Sequence, residues 1–436
     1  MDEDFAARDA DFWAFAEKLL GFDTTVGNEA PANRWFRDTL DEMGFETYEW
    51  TADAEALAAH SSFPDDPAEI EAADRPSVGG VLEFGDPEAG RTLVLNGHVD
   101  VVPAARESWS SDPFDPVWSE GETDDGERLT ARGAADMKCG LAACVFAAAH
   151  LRDLHADSAS DSDAESASNL NGRLVVESVV GEEEGGIGAA ASALSNPYPF
   201  ERDAAIIAEP TELRPIVASE GSVMKRLRLS GRSAHAASRW RGVDVLPYFE
   251  EIRRAFMELE AERGETVTHP LYEEFPVSWP VVFGRVDAGD WASSVPAELT
   301  AELRIGVAPG ETVAEVEAQF EDRLAEIVAA DEWLAEHPPA FERFSIQFEP
   351  SEIAADEPVV TALQGAMAEN GLSDTEARGA TYGADARHYI DAGIPTVMFG
   401  PGTIEQAHFP DESIVWSEVL TAGEVLAGAA REFLRG

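Results

Sequence analysis

The stretch LVLNGHVDVVP at residues 93–103 places a histidine, His98, and an aspartate, Asp100, directly after an apolar run. An uninterrupted run of Leu and Val predicts a buried β-strand. Ligand sites of open α/β sheets form at the carboxyl ends of strands, and a metal-binding imidazole needs a partner for its second ring nitrogen. Asp100 could be that partner. By itself, the stretch is equally consistent with a hydrogen-bonded pair that has no catalytic role.

The same arrangement recurs along the chain: a predicted strand end, or a helix start, lies next to a residue type that binds metal ions. The positions are Asp136 before the helix pattern at 141–151, Glu182 and Glu183 after the strand at 174–180, Glu209 after the strand at 204–208, and His408 after the strand at 395–399. Mixed nitrogen and oxygen ligands suit zinc or a similar divalent ion, and a shared carboxylate can bridge two ions.

These blocks, in this order, resemble the M20 metallopeptidases and deacylases, a family that includes acetylornithine deacetylases, succinyl-diaminopimelate desuccinylases, aminoacylases and glutamate carboxypeptidases. The resemblance extends from residues 27–29 to the last histidine block. It implies an α/β fold with a zinc-peptidase-like catalytic domain and two divalent ions, zinc first, with cobalt or manganese as alternatives. The implied ligands are His98 and Glu209 for one ion, Glu183 and His408 for the other, and Asp136 as the bridge.

Two more carboxylates take roles from the resemblance. Asp100 would orient the imidazole of the first histidine, and Glu182 would be the general base. Where the family usually has Asp-Glu-Glu, this chain has GEEEGG at residues 181–186. Aligning residues 182–183 with the family's pair keeps the following glycines in register. A shift by one residue, to 183–184, remains an alternative.

The segment between the fourth and fifth blocks has its own pattern. Its apolar spacing predicts, in order, a strand at 222–229, a helix at 243–259, strands at 277–286 and 299–307, a helix at 312–327 and a strand at 344–348. This β-α-β-β-α-β order is ferredoxin-like. We therefore predict a catalytic domain at 1–212 and 351–436, interrupted by an inserted domain at 213–350. The resemblance implies that the insertion is a lid and dimerisation domain.

Four residues are candidates for substrate contact. The run GRSAHAA at 231–237 resembles the family's lid motif, in which the histidine, here His235, reaches a neighbouring subunit and stabilises the oxyanion. The alternative is a loop histidine with local hydrogen bonds. Ser294 and Arg304 resemble the lid segment that binds the substrate carboxylate, a task that suits a guanidinium. A surface salt bridge is the alternative for Arg304, and Arg387 is a second candidate.

The charge of the chain excludes several classes of partner. The 436 residues include 85 acidic and 31 basic ones, for a formal net charge of −54. Such a field repels nucleic acid and anionic membranes. It also strains a compact fold unless salt screens it, and the Debye length falls to about 3 Å at 1 M salt. Because the acidic residues are spread throughout, we interpret the chain as a protein of a halophilic cytoplasm.

The remaining composition agrees with a cytoplasmic location. Two cysteines, Cys139 and Cys144, in so long a chain argue against a secreted disulfide framework. The chain opens with acidic residues rather than a signal segment, and its longest apolar run, 141–149, is shorter than the ~20 residues of a membrane span. The Asp/Ser/Ala-rich segment 155–168 predicts a solvated surface loop.

Together, the motifs predict a two-metal hydrolase of the amide bond in small N-acyl amino acids, similar to acetylornithine deacetylase or succinyl-diaminopimelate desuccinylase. The alternative in the same family is a carboxypeptidase, dipeptidase or aminoacylase. A binding protein without catalysis is disfavoured because every implied ligand and the base are present. The expected partners are a small N-acyl amino acid or short peptide and a second copy of the chain in a homodimer.

Overall fold

The computed structural model describes residues 8–64, 66–120, 126–160 and 170–435. The strands are β1 Glu46–Trp50, β2 Ser77–Phe84, β3 Arg91–His98, β4 Val117–Glu120, β5 Glu127–Thr130, β6 Gly172–Val179, β7 Ala204–Ile207, β8 Ile216–Ser219, β9 Gly221–Ser230, β10 Val281–Ala288, β11 Glu298–Val307, β12 Ala340–Arg343, β13 Ser351–Glu352, β14 Arg378–Ala380, β15 Thr396–Met398 and β16 Ser413–Val415. The α-helices are α1 Asp9–Leu20, α2 Ala30–Glu42, α3 Ala54–Ala58, α4 Cys139–Ser160, α5 Ile187–Leu194, α6 Leu246–Thr266, α7 Val313–Ala330, α8 Glu332–Glu336, α9 Pro358–Glu369, α10 Ala386–Asp391 and α11 Trp416–Leu434.

The larger sheet has the order β1-β2-β6-β3-β7-β15-β8-β13, and β14 pairs with β8. Its centre is parallel, with β6, β3, β7 and β15 running in one direction. Parallel strands are covered by helices on both faces, which explains why their sequences are continuously apolar. Every residue of β6 is buried, and β3 is buried after its first residue. The predicted α/β class is confirmed.

Helix α4 is the central helix of the large core. Within the described residues, Ala134–Ala156 is long and apolar enough to cross a membrane by length and composition alone, but this window is entirely buried inside the protein. The helix packs against α11 and β3. It continues to Ser160, so the predicted loop at 155–168 is wrong in its first part. The helix is well packed, and its backbone hydrogen bonds continue into this polar part of the sequence. Residues 161–169 lie outside the described part of the chain.

The smaller sheet is antiparallel, with the order β10-β11-β9-β12. Helices α6 and α7 complete the predicted β-α-β-β-α-β succession. This unit has its own apolar core, in which Phe256 of α6 stacks edge-on against Phe320 of α7. Thr312 caps α7 through a reciprocal capping box with Glu315, as Ser or Thr followed three residues later by Glu favours.

Two details of the predicted insertion differ from the structure. Strand β8 was assigned to the insertion, but it pairs with β15, β14 and β13 of the larger sheet, so the smaller sheet begins at β9. The last strand was predicted at 344–348, whereas β12 lies at Ala340–Arg343. The apolar alternation of 344–348 belongs to an irregular segment in which Ser345 has a φ of 58°. The division of the chain into a catalytic domain and an inserted domain stays a prediction.

Candidate metal centre

The carboxyl ends of the central parallel strands bring most of the predicted site residues together. His98 is the last residue of β3, and Glu209 lies two residues beyond β7. Glu182 and Glu183 form a short 3₁₀ turn just beyond β6. Because β6, β3 and β7 are parallel neighbours, their ends meet at one edge of the sheet, where open α/β sheets build ligand sites.

Two loops supply the remaining donors. Asp136 lies in the turn that precedes α4, and His408 lies in the loop between β15 and β16. Strand β16 pairs with β5, which leads into the Asp136 turn, so this pairing holds the two loops side by side. His408 adopts a φ of 65°, a left-handed conformation that is unusual for a residue with a side chain.

The imidazole of His98 is buried and fixed at both nitrogens. Its Nδ1 lies 2.9 Å from the backbone carbonyl oxygen of Asp100, which can only accept, so Nδ1 carries the proton. Its Nε2 lies 2.9 Å from Oδ1 of Asp136. Burial opposes protonation, but the hydrogen bond to Asp136 and the charges of Asp100 and Asp136 raise the pKa of His98 well above its usual value. The surrounding carboxylates thus favour a positive charge at this imidazole.

Asp100 orients His98 in a different way from the prediction. The backbone carbonyl makes the contact, while the carboxylate Oδ1 is 3.7 Å from Nδ1. The other carboxylate oxygen, Oδ2, accepts a hydrogen bond of 3.1 Å from the backbone N–H of Glu183. The sharp exit from β3 brings the carbonyl closer to the ring than the side chain. The carboxylate therefore links the His98 strand end to the glutamate turn.

The second group of donors contains His408 and Glu183. Nε2 of His408 lies 3.0 Å from Oε2 of Glu183 and 3.7 Å from Oδ2 of Asp136. The hydrogen bond to Glu183 raises the pKa of His408 above its usual value. Asp136 thus faces His98 with one carboxylate oxygen and His408 with the other.

The donor chemistry fits two divalent ions. Donor atoms of His98, Asp136 and Glu209 lie within 4.8 Å of one another, and so do those of Asp136, Glu183 and His408. Each group combines one imidazole with two carboxylates, a set that suits zinc. Oε1 of Glu209 is buried without a hydrogen-bond partner among the described residues. Burial raises the pKa of the Glu209 carboxyl well above its usual range, a cost that a bound cation would offset.

The side chains of the three consecutive glutamates have different surroundings. Glu183 contacts His408, whereas Glu184 accepts a hydrogen bond of 2.6 Å from Nη1 of Arg75. Glu182 lacks a hydrogen-bond donor at its carboxylate among the residues that the structure describes. Burial, followed by the charges of Asp385 and Glu209, raises the pKa of Glu182 well above its usual range. This geometry favours the register in which Glu183 is the ligand.

Sequence reasoning missed Glu412 as a positioning residue. Its buried carboxylate accepts hydrogen bonds from the backbone N–H groups of Gly133, Ala135 and Asp136 and from Nη1 of Arg132. It thereby joins the His408 loop to the Asp136 turn. No local pattern marks this role, because the partners lie 276 to 280 residues away in the chain.

Asp385 is a second missed residue. It is 1% exposed, and neither carboxylate oxygen has a hydrogen-bond partner among the described residues. Burial raises the pKa of Asp385 to about 7, against the opposing charge of Arg387. The sequence shows only an acid inside the motif GADAR at 383–387, and its burial becomes visible in the structure. Unpaired buried carboxylates are rare away from functional sites.

The structure does not bring His235 or Ser294 to the metal centre of the same chain. Both lie on loops of the smaller sheet, where they face each other in an isolated β-bridge. His235 is exposed, and its Nδ1 accepts a hydrogen bond of 3.1 Å from the backbone N–H of Ala237. Over the described ranges, the hydrogen bond of the His235 side chain stays within its own loop.

The two candidate arginines are already engaged. Nη1 of Arg304 donates to Oε1 of the fully buried Glu220 at 2.9 Å, so its salt bridge is an internal one rather than the surface pair considered above. Arg387 is buried and donates to the backbone carbonyls of Ala384 and Gly185. The ring of Phe348 lies against the guanidinium, while Nε of Arg387 has no hydrogen-bond partner among the described residues, so its contact with substrate stays a prediction. Arg304 remains 27% exposed at its side chain.

Fold and site together define an α/β protein with a candidate two-metal centre at the edge of its larger sheet. The chain matches the family model of peptidase family M20/M25/M40 over residues 94–432 and belongs to that family. The resemblance seen in the sequence motifs is thereby confirmed. Membership makes the chain a metal-dependent hydrolase.

Similar proteins within the family differ in their named activities. The N-formyl-4-amino-5-aminomethyl-2-methylpyrimidine deformylase of Halalkalibacterium halodurans is 25% identical over 93% of this chain and 90% of its own length. The acetylornithine deacetylase of Proteus mirabilis is 29% identical over 78% of this chain and 79% of its own. A dipeptidase structure from Saccharomyces cerevisiae aligns with 100% of this chain and 98% of its own, with a TM-score of 0.72 at 15% identity, a likeness of fold alone.

Proposed function

We propose that the chain hydrolyses the amide bond of small N-acyl amino acids with two divalent cations, for which zinc is the best match. The observation that carries this proposal is the pair of donor groups that share Asp136. Glu182 lies close enough to feel the charges of Glu209, His98 and Glu183, and its carboxylate has no hydrogen-bond donor among the described residues. The names of the two relatives described above support the reaction class, since a deformylase and a deacetylase both remove a small acyl group.

The ligand assignment follows the two donor groups. His98 and Glu209 would hold one cation, Glu183 and His408 the other, and the two oxygens of Asp136 would face one cation each. The hydrogen bond from Nδ1 of His98 to a backbone carbonyl leaves its Nε2 lone pair for the metal. The carboxylates are crowded, and two divalent charges would neutralise them.

Glu182 is the proposed general base. When bound, the two cations would lower the pKa of a water molecule and polarise the amide carbonyl. Glu182 would accept a proton from that water and return it to the leaving amine. The burial that raises the pKa of Glu182 makes its carboxylate more basic than an exposed one, which suits both transfers.

We further propose that the working unit is a homodimer in which His235 serves the partner's site. The exposure of His235 and its distance in the fold from the donors of its own chain support an action in trans. The outer strand of the smaller sheet, β10, exposes Val282 and Val286, which are available for burial against a second copy. In that dimer, the exposed part of the Arg304 side chain would contact the substrate carboxylate.

Removal and return of metal tests the proposal. Protein stripped with a chelator should lose hydrolysis of N-acetyl and N-formyl amino acids, and two equivalents of Zn²⁺ per chain should restore it. A parallel panel of dipeptides, with products identified by mass spectrometry, separates deacylation from peptidase activity. Full activity in chelator, or a stoichiometry of one metal at full activity, would contradict the two-metal assignment.

A further inference from the structure

A cavity of about 310 Å³ lies beside the glutamate turn and is lined by Glu183 itself. Its walls come from three separate parts of the chain: the segment between β1 and β2, the turn with the start of α5, and the irregular segment after β12. The lining residues are Phe63, Pro64, Glu69, Ile70, Glu71, Arg75, Glu183, Glu184, Ile187, Ser345 and Ile346. Because a proposed metal ligand forms one wall, a group placed here would be attached next to the scissile amide.

The body of this cavity is apolar. Phe63, Ile70 and Ile187 are buried and present carbon surface from two sides. Ile346 closes a third side and lies directly over the turn, since a Cβ at Gly185 would come within 2.4 Å of its Cγ2. The volume is at the lower end of ordinary ligand pockets and holds a branched aliphatic group or a phenyl ring.

The polar part of the lining is unfavourable for an anion. Apart from the proposed metal ligand Glu183, its carboxylates belong to Glu69, Glu71 and Glu184, and among the described residues its cationic side chain is that of Arg75. Arg75 is 3% exposed and donates to Glu29 through Nε and Nη2 and to Glu184 and the Glu71 carbonyl through Nη1. Four of its five N–H groups are thus in use, so the bidentate fork that recognises a carboxylate is not available.

We propose that this cavity selects substrates by charge: it receives an uncharged apolar group that flanks the scissile amide and rejects an anionic one such as succinyl. This inference rests on the proposed function and deepens it by naming the substrate class. An anionic group here would lose its hydration without gaining a counter-ion, which is costly in a partly buried site. An apolar group of matching size would gain the burial of its carbon surface.

Two substrate series test the inference and identify which side of the amide enters the cavity. The first holds alanine constant and varies the acyl group among acetyl, isovaleryl, benzoyl and succinyl. The second holds acetyl constant and varies the side chain among alanine, leucine, phenylalanine and aspartate. In one series, kcat/KM should favour the bulky apolar member over the anionic one by at least about tenfold, which corresponds to about 1.4 kcal/mol. Anionic members within about twofold of the apolar ones in both series would overturn it.

Variants of Ile346 locate the selection. Ile346→Arg should shift the anionic-to-apolar ratio of kcat/KM towards the anion by about tenfold, because it supplies an unpaired guanidinium at the wall. Ile346→Gln is the matched variant of similar length without charge, and Leu194→Arg adds the same charge at an exposed position of α5. A ratio for Ile346→Arg no different from that of Leu194→Arg would overturn the proposal. If no member of either series is hydrolysed by metal-loaded protein, the proposed function itself fails.

Discussion

Three adjacent glutamates with three different surroundings show how finely the site depends on single residues. The turn at 182–184 is bracketed by glycines with left-handed φ values of 73° at Gly181 and 97° at Gly185. This tight turn fans the side chains out, so that Glu183 points to His408 and Glu184 to Arg75. Neighbours in sequence can therefore be assigned separate chemical tasks and tested separately.

Glu182→Gln and Glu183→Gln should differ in their effects on metal content. Glu182→Gln keeps the size of the side chain but cannot accept a proton, so turnover should fall by about 10²–10⁴, with metal content near that of the parent. Glu183→Gln should weaken one metal site. Elemental analysis and steady-state kinetics on both variants make the measurement, with Glu184→Gln as the neighbouring control. The reverse pattern would show that Glu182 is the metal ligand and that the proposed register is wrong.

Glu220 offers a test of charge burial away from the metal centre. Burial raises its pKa from 4.5 to about 7, although Arg304 opposes the shift. The folded protein therefore holds a proton that the unfolded chain has released, and Glu220 contributes less to stability as pH rises from about 4.5 to about 7. Relative to the parent, Glu220→Gln should gain unfolding free energy across that window and level off above it.

Urea unfolding across this pH range measures the difference between the two proteins. Glu298→Gln, an exposed change in β11, controls for the loss of one acidic residue. A difference that is constant with pH would contradict the proposed burial of a proton at Glu220.

The clustering of the proposed ligands could be predicted from the sequence, and the arginine partners could not, for a physical reason. Each proposed ligand lies beside an apolar element whose end is marked in the sequence. These ligands are His98, Asp136, Glu183, Glu209 and His408. Parallel pairing of the strands then brings their ends together. The partner of an arginine side chain has no such local signal in the sequence. The partner of Arg304 is 84 residues away and that of Arg387 is 202 residues away, and these pairings depend on the complete fold.

At the scale of elements, two loops from distant parts of the chain form one rigid unit around Asp136. The pairing of β16 with β5 aligns them, and the buried pair Arg132–Glu412 closes the connection with an N–O distance of 2.6 Å. Satisfied buried charges of this kind specify a geometry more than they add stability. We infer that this unit sets the distance between Asp136 and His408.

Glu412→Gln should disturb that unit. The amide cannot accept from all the backbone N–H groups that the carboxylate serves, and it leaves Arg132 buried without a countercharge. Breaking a buried pair in this way costs about 3–5 kcal/mol. We expect a lower melting temperature and a weaker affinity for the second equivalent of Zn²⁺, both measured by calorimetry. Glu405→Gln, an exposed change in the same loop, should alter neither, and equal effects of both variants would contradict the role of Glu412.

The element that sequence reasoning misplaced also has a clear cause. Phe344, Ile346 and Phe348 alternate as a half-buried strand would, but the continuous pairing of β9 with β12 ends at Arg343. The left-handed φ of Ser345 interrupts the strand, and only an isolated bridge joins Phe348 to Ser222 of β9. Ile346 then packs on Gly185 and Phe348 on Gly383. The apolar periodicity of a sequence predicts which residues are buried, but it does not predict which surface buries them.

At the scale of the whole molecule, an action of His235 in trans predicts complementation between inactive chains. His235→Ala and Glu182→Gln should each be inactive alone. A hybrid dimer has one site with Glu182 from one chain and His235 from the other, so mixing equal amounts after reversible dissociation should restore about one quarter of the parent activity. Mixing Glu182→Gln with the double variant should restore none. No recovery from the first mixture would place His235 outside the partner's site.

The net charge of −54 predicts that the protein needs high ionic strength to stay folded. Electrostatic repulsion acts over a Debye length of about 10 Å at 0.1 M salt but only about 3 Å at 1 M, so compaction becomes easier as salt is added. The melting temperature should therefore rise from dilute buffer to molar KCl. Sucrose stabilises compact states without screening charge and should not replace the salt. An unchanged melting temperature would reject the halophilic interpretation.

Activity should follow the same trend only when metal is saturating. The negative field that opposes folding also attracts divalent cations, and salt screens that attraction as well. At limiting Zn²⁺, molar KCl should thus weaken metal binding even as it stabilises the fold, and activity should pass through a maximum. At excess Zn²⁺ the maximum should disappear and activity should rise with the folded fraction measured by circular dichroism. A fall in activity at high salt despite excess Zn²⁺ would show that charge screening harms the chemistry rather than the loading of metal.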